Sequence, residues 1–439
     1  MRFDNRFLKV TARSCALLLL CLLIVGLQAQ STAPAPKEQT HQYSLPPDKL
    51  KQAIEYSHAG YWLHFGGEIY GIAVLLVVLQ WGLAAKFRDW AEARSRHRFV
   101  QAIVFVPLLA LTIDLFSLPL GFYGQHLERV YDQSVQSWPS WFWDWTKGEL
   151  LEFALAIILV FIFYGVIRRS PRRWWFYFWL ASLPILFAIM FLEPFLIEPL
   201  FFEFQPLARQ HAALVGDLEK VVIRGGLAIP PSHMFEMKAS EKLNSLNAYV
   251  SGLGASKRVV VWDTTMAKMT TPEILSVFGH EMGHYVLGHV RNSLILASAF
   301  ALALMFVAYF AFDWLLGRWG ARWRIRDETD WASLPVLLLI VAVLSFLSEP
   351  FANGYSRWQE HQADVFGLEV IHGIVPDSKE VASHTFQVLG EVDLDEPNPN
   401  QFIEFWLYTH PSISERIAFT QSYDPWSNGN PRYIKVVLH

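Results

Sequence analysis

The chain has 439 residues, 53% of them apolar and only 17% charged, with 18 Trp and 33 Phe. Soluble domains lie nearer about 45–50% apolar and about 25% charged, so a disordered, fibrous or disulfide-built secreted chain is excluded. A membrane protein with soluble portions is expected, and a formal charge of −4 offers no basic face for nucleic acid.

At the start, Arg2, Arg6, Lys9 and Arg13 precede an apolar stretch from Cys15 to Leu27 and a small-residue exit at Ala29. Residues 1–29 read as a secretory signal, either cleaved or retained as an anchor. Cys15 and Cys21 both lie inside it, so no disulfide or cysteine-based metal site is expected elsewhere. An exterior segment follows at 30–68. Six apolar runs then suffice to cross about 30 Å at about 1.5 Å per residue: 69–85, 100–122, 150–167, 174–192, 294–316 and 332–348. Four spans thus fill residues 69–197 and two fill 292–350. The soluble material falls at 198–291 and 351–439, a single catalytic domain split by the last helix pair.

Loop charge sets the direction. Residues 86–98, 168–173 and 318–330 carry five, four and four Lys/Arg, against only Arg129 and Lys147 in 121–149. By the positive-inside rule the three basic loops are cytoplasmic and both catalytic segments are outside. Trp174, Trp175, Trp319, Trp323 and Trp331 read as an inner aromatic belt, and the Trp-rich run at 138–145 as the outer one. Asp114, inside a span, is expected to face the bundle interior. Glu193-Pro194 and Glu349-Pro350 read equally as interior groups or as helix ends at the outer interface.

The chemistry is concentrated in FGHEMGHYVLGH at 278–289. Thr270-Thr271-Pro272-Glu273 signals a helix start, and His280 and His284 then lie about 40° apart on one face. Two imidazoles one turn apart can grip a single Zn²⁺, with Glu281 beside them as general base. Leu287 and Val290 stand where a metzincin would have Gly and His. His289, about 180° round a continuous helix, is expected to face away in a structural role. In a later helix at 349–370, Asn353, Arg357, Glu360 and Asp364 share a face. Alone, that face would read as a solvated Arg–Glu surface. Beside the His pair, Glu360 is the candidate third ligand, with the fourth position left to water, and Asp364 would hold a ligating imidazole by its other nitrogen. LNAYVSG (246–252) and KRVVVWD (257–263) read as a hairpin whose free edge could take an extended peptide.

The zinc-helix motif, SRWQEHQAD, LNAYVSG and THPSISER (409–416), in this order and over about residues 43–420, resemble the type I CAAX prenyl proteases. These are multi-pass zinc endopeptidases of the gluzincin kind. The resemblance implies one zinc ion on His280, His284 and Glu360, water activation by Glu281, and His410 over the site to stabilise the oxyanion. It also implies Asn247 on a substrate-binding edge strand, and helices enclosing a large water-filled chamber. Arg416 is expected to assist His410 at the substrate. Eukaryotic members keep the catalytic domain in the cytosol, whereas the charge pattern here places it outside.

The expectation is therefore a mainly α, polytopic membrane protein with a split α+β zincin-like domain. It would hydrolyse peptides or proteins at the outer, periplasmic face of a bacterial inner membrane. A channel or carrier with a structural zinc site, and a chaperone that binds without cutting, are the rival readings.

Overall fold

The computed structural model describes residues 43–252 and 257–434; the expected signal or anchor lies outside them. The first half is helical: α1 (Pro47–Gln80), α2 (Leu83–Arg94), α3 (Arg98–Val130), α4 (Trp138–Arg169) and α5 (Trp174–Leu192). A π turn at Glu193–Ile197 carries α5 into the short α6 (Glu198–Phe201), so Glu193-Pro194 does not end the helix. Next come β1 (Phe204–Pro206), α7 (Ala212–Arg224), β2 (Met234–Met237), β3 (Ala248–Ser251), β4 (Arg258–Trp262), α8 (Asp263–Lys268) and α9 (Thr271–Val286). The chain finishes with α10 (His289–Trp319), α11 (Leu334–Ile371), α12 (Ser378–Asp393), α13 (Gln401–Leu407) and α14 (Ile413–Ser422).

Among the described residues, six helices are long and apolar enough to span a membrane: α1, α3, α4, α5 with its extension, α10 and α11. The first is displaced from the expected 69–85, because Gly82 at φ +63° breaks the chain inside that run. The basic stretch after it is mostly helix α2, not loop. The last span does not stop at Glu349-Pro350 either. Helix α11 passes through Pro350 for 38 residues, about 57 Å at 1.5 Å per residue, and so joins the membrane to the Glu360 face as one rod.

At the basic end the bundle has a filled core containing Phe105, Phe163, Tyr164, Trp174, Phe312 and Trp331. Trp174, Trp323 and Trp331 are buried there, which removes them from the expected belt. Trp331 donates to Gln101 (3.0 Å) and lies beneath the Arg168 guanidinium. The buried Arg88–Asp330 pair at 2.6 Å closes the same end. Toward the middle the packing changes. None of residues 54–73, 110–124, 138–162, 175–192, 290–307 or 341–349 is buried, so the spans form a shell around an open interior.

The soluble half carries a four-stranded sheet of order β1-β2-β4-β3. Strand β4, with Val259, Val260 and Val261 fully buried, runs parallel to β2 and antiparallel to β3. Strand β3 is left on the edge, as the hairpin reading expected. Helices α7, α9 and α11 pack on the sheet through Leu218, Val221, Phe278, Met282, Phe366 and Val370. Tyr43, Leu45 and Ala53 of the first segment pack on Phe386, Ile413 and Ile417, and Val135 donates to the Lys242 carbonyl at 3.0 Å. All four segments read as exterior therefore gather on one side.

Candidate active site

Helix α9 starts at Thr270, whose backbone N–H donates to the Glu273 carboxylate at 2.6 Å in a capping box. Its face toward α11 is built from glycine. A methyl group at Gly279 would meet the Gly367 carbonyl at 3.1 Å, and one at Gly283 would meet the Ala363 Cα at 3.1 Å. Gly367 answers from α11, where a Cβ would lie 2.8 Å from the His280 backbone nitrogen. With no side chain at these three positions the two backbones approach closely, which brings the α9 imidazoles to the α11 carboxylate.

His280 Nε2 lies 3.1 Å from His284 Nε2 and 3.1 Å from Glu360 Oε2, and His284 Nε2 lies 3.4 Å from Glu360 Oε1. Two ligands of one tetrahedral ion, with bonds of about 2.0–2.1 Å, are separated by about 3.3 Å, so the donor set fits a single metal ion. Glu360 Oε2 is sealed from solvent and has no well-formed hydrogen bond, which is costly unless another partner satisfies it. Among the described residues, His280, His284 and Glu360 are the one group gathered in this way.

Around these three sits a supporting layer. With Nε2 turned inward, His280 Nδ1–H donates to Asp364 Oδ1 at 2.7 Å. Arg416 grips the same carboxylate through Nε (3.0 Å) and Nη2 (2.6 Å). The fork expected at the substrate is thus occupied by Asp364, although Arg416 still borders the cavity. His289 departs from expectation. Gly288, at φ +70°, ends the zinc helix and starts α10, so the continuous-helix geometry does not apply. His289 is buried, and its Nδ1 lies 3.1 Å from His284 Nδ1.

Glu281 has no ion-pair partner closer than His280 Nε2 at 4.0 Å. Burial pushes its carboxyl up, and His280 and His284 pull it only part of the way back. His410 Nε2 reaches to 3.1 Å from Glu360 Oε2, while Thr409 Oγ1 lies 2.9 Å from its Nδ1. The Glu360 face of α11 also holds the His410 segment. Asn353 donates to the Trp406 carbonyl at 2.6 Å, and Arg357 donates to the Glu404 (2.9 Å) and Tyr408 carbonyls. The Asn247 backbone is pinned on both sides by Thr265 Oγ1 at 2.8 Å, next to edge strand β3. Its side chain is exposed, and with Glu281, His280 and His410 it borders a cavity of about 630 Å³.

A membrane-embedded helical shell with a His-His-Glu group and an adjacent carboxylate defines a class, the multi-pass membrane metallopeptidases. Comparison with known proteins agrees. The model for peptidase family M48 matches residues 209–424, and that for the CAAX prenyl protease N-terminal region, five membrane helices, matches residues 27–203. An uncharacterized metalloprotease, YhfN, of Bacillus subtilis is 36% identical over 85% of this chain and 86% of its own. CAAX prenyl protease 1 of Saccharomyces cerevisiae is 24% identical over 84% of this chain and 85% of its own. The crystal structure of S. mikatae Ste24p superposes with a TM-score of 0.74 at 21% identity, covering 95% of this chain and 99% of that one. The chain belongs to peptidase family M48, and it is a multi-pass membrane metallopeptidase.

Proposed function

We propose that the chain is a zinc endopeptidase cutting exposed peptides or protein segments at the outer, periplasmic face of a bacterial inner membrane. The observation that carries this is the convergence of His280, His284 and Glu360 beside the otherwise unpaired Glu281, with His280 and Glu281 at the wall of a cavity also bordered by Asn247, one residue before the edge strand. These three residues would hold the ion. When bound, zinc supplies Lewis-acid polarisation of the scissile carbonyl and a lowered pKa for water.

The remaining work belongs to the chain. The peptide backbone adds to β3 as a further strand, steered by Asn247. Glu281, whose carboxylate is made more basic by burial, takes the proton of the attacking water and passes it to the leaving amine. His410 stands between Glu360 and the cavity it borders, where an imidazole N–H can donate to the developing oxyanion. Asp364 and His289 hold the two imidazoles in the tautomer that presents Nε2. The outward orientation rests on the loop charges, and outside the cytoplasm a prenyl group on the substrate is not required.

The test is hydrolysis of an unstructured peptide by detergent-purified protein, with and without a chelator. Chelator-sensitive cleavage restored by Zn²⁺ is expected. Cleavage indifferent to chelation would overturn the metal-site reading.

A further inference from the structure

The cavity in front of Glu281 is markedly acidic. Besides Glu281 its wall contains Glu128, Asp393, Asp395 and Glu396, and its one Lys or Arg is Arg416, already held by Asp364. Two of the four acids have neutral donors: Tyr56 donates to Glu128 at 2.8 Å and Tyr61 to Glu396 at 3.0 Å. The other two do not. Asp393 accepts the Leu246 backbone N–H, but its Oδ1 is sealed from solvent with no partner. Among the described residues Asp395 has no ion pair or side-chain hydrogen bond, and Tyr43 donates only to its backbone carbonyl. The nearby lysines are engaged elsewhere, Lys268 with the Asn244 carbonyl at 2.6 Å and Lys49 with Glu391 at 3.4 Å.

The fold maintains this arrangement against its electrostatic cost. Asp393 is the last residue of α12, where the helix dipole adds negative potential. Leu394 takes φ +55°, unusual for a branched residue, and is kept there by burial against Tyr43, Ile413 and Ile417. Burial pushes Asp393 up to about 7, with Asp395 adding to the rise and Lys268 opposing it, and pushes Asp395 up to about 6 against the pull of Arg416 and His410. The position matters as much as the charge. Asp393 is bonded at Leu246, one residue before Asn247 and the edge strand, and Asp395 lies within the electrostatic reach of His410. A side chain entering here would belong to a residue close to the scissile bond.

Resting on the peptidase reading above, we propose that Asp393 and Asp395 form the subsite for a lysine or arginine side chain of the peptide substrate, which makes basic peptides the preferred substrate class. A guanidinium in the cavity would pair with the two carboxylates that border it. Hydrogen bonds to charged groups of this kind correspond to about 10–100-fold in affinity.

The experiment uses the full-length protein in detergent and fluorogenic peptides that differ only by arginine or citrulline at successive positions. At one position arginine is expected to raise kcat/KM about 10–100-fold over citrulline, chiefly through KM, with the ratio falling toward one in Asp393→Asn/Asp395→Asn. Binding of the same pairs to Glu281→Gln by fluorescence anisotropy gives the ratio without turnover. If wild type cuts neither peptide but Glu281→Gln still prefers arginine, the peptidase reading fails and the subsite stands. Equal binding of arginine and citrulline peptides at every position, or a preference that survives the double substitution, overturns the subsite.

Discussion

At the scale of single residues, Glu281 is distinguished from Glu360 by what surrounds it. Glu360 has three imidazoles within 3.4 Å, whereas Glu281 has no ionic partner nearer than 4.0 Å. Glu281→Gln is expected to retain metal and fold while lowering peptide hydrolysis by about 10²–10⁴-fold. Near-normal turnover would assign the base elsewhere. Glu360→Ala is expected to release the metal on dialysis against a mild chelator, measured as metal per protein. Asp364→Ala and His289→Ala, which act through the orientation of His280 and His284, should each weaken metal affinity by about 10–100-fold. Full metal retention by His289→Ala would reduce His289 to a packing role. The His280–Glu281–His284 group was readable from the sequence because its spacing lies within one helical turn. His289 was not, because periodicity assumes an unbroken helix and the left-handed turn at Gly288 resets it. The grip of Arg416 on Asp364 joins residues 52 positions apart, beyond the reach of any local pattern.

At the scale of elements, the site depends on how closely α9 and α11 cross. Spacing on each helix was legible, as was the edge position of β3, but the closeness of the crossing was not. It resides in Gly279, Gly283 and Gly367, which a sequence shows only as weak helix formers. The passage of α11 through Pro350 was equally hidden, since a proline ordinarily marks a helix end; beside a membrane span other groups can satisfy the freed carbonyl. Gly367→Ala puts a methyl group 2.8 Å from the His280 nitrogen and 2.9 Å from its Cα. Overpacking of this sort costs about 1–3 kcal/mol, and here it also pushes the Glu360 helix away from the His pair. A lower melting temperature together with lower metal occupancy is expected. Gly216→Ala is the control, a helical glycine with nothing within 4 Å of the added methyl, for which stability should be unchanged or slightly raised. Equal behaviour of the two variants would remove the glycine crossing from the account.

For the whole molecule, the arrangement of the segments turns orientation into a single two-way choice. Residues 43–53 pack on α12 and α14, the 131–137 turn pairs with Lys242 and Asn244, and α9 packs on α11. These regions therefore cannot be divided between the two sides of the membrane. At the opposite end lie residues 86–98, the 168–173 turn and residues 318–330, with thirteen Lys/Arg against two in 121–149. Some of these are structural, such as Arg88 in its buried pair with Asp330. The positive-inside bias nevertheless counts Lys and Arg near span ends and gives acidic neighbours little weight. The His280–Glu360 site and the C-terminus are accordingly expected outside the cytoplasm. A C-terminal fusion to a reporter that works only in the cytoplasm should be silent, and one that works only outside it should be active, in cells producing the full chain. The reverse pair of signals would place the cavity, with its acidic wall, in the cytosol. The charge argument would then be wrong, while the geometry of the site would be unaffected.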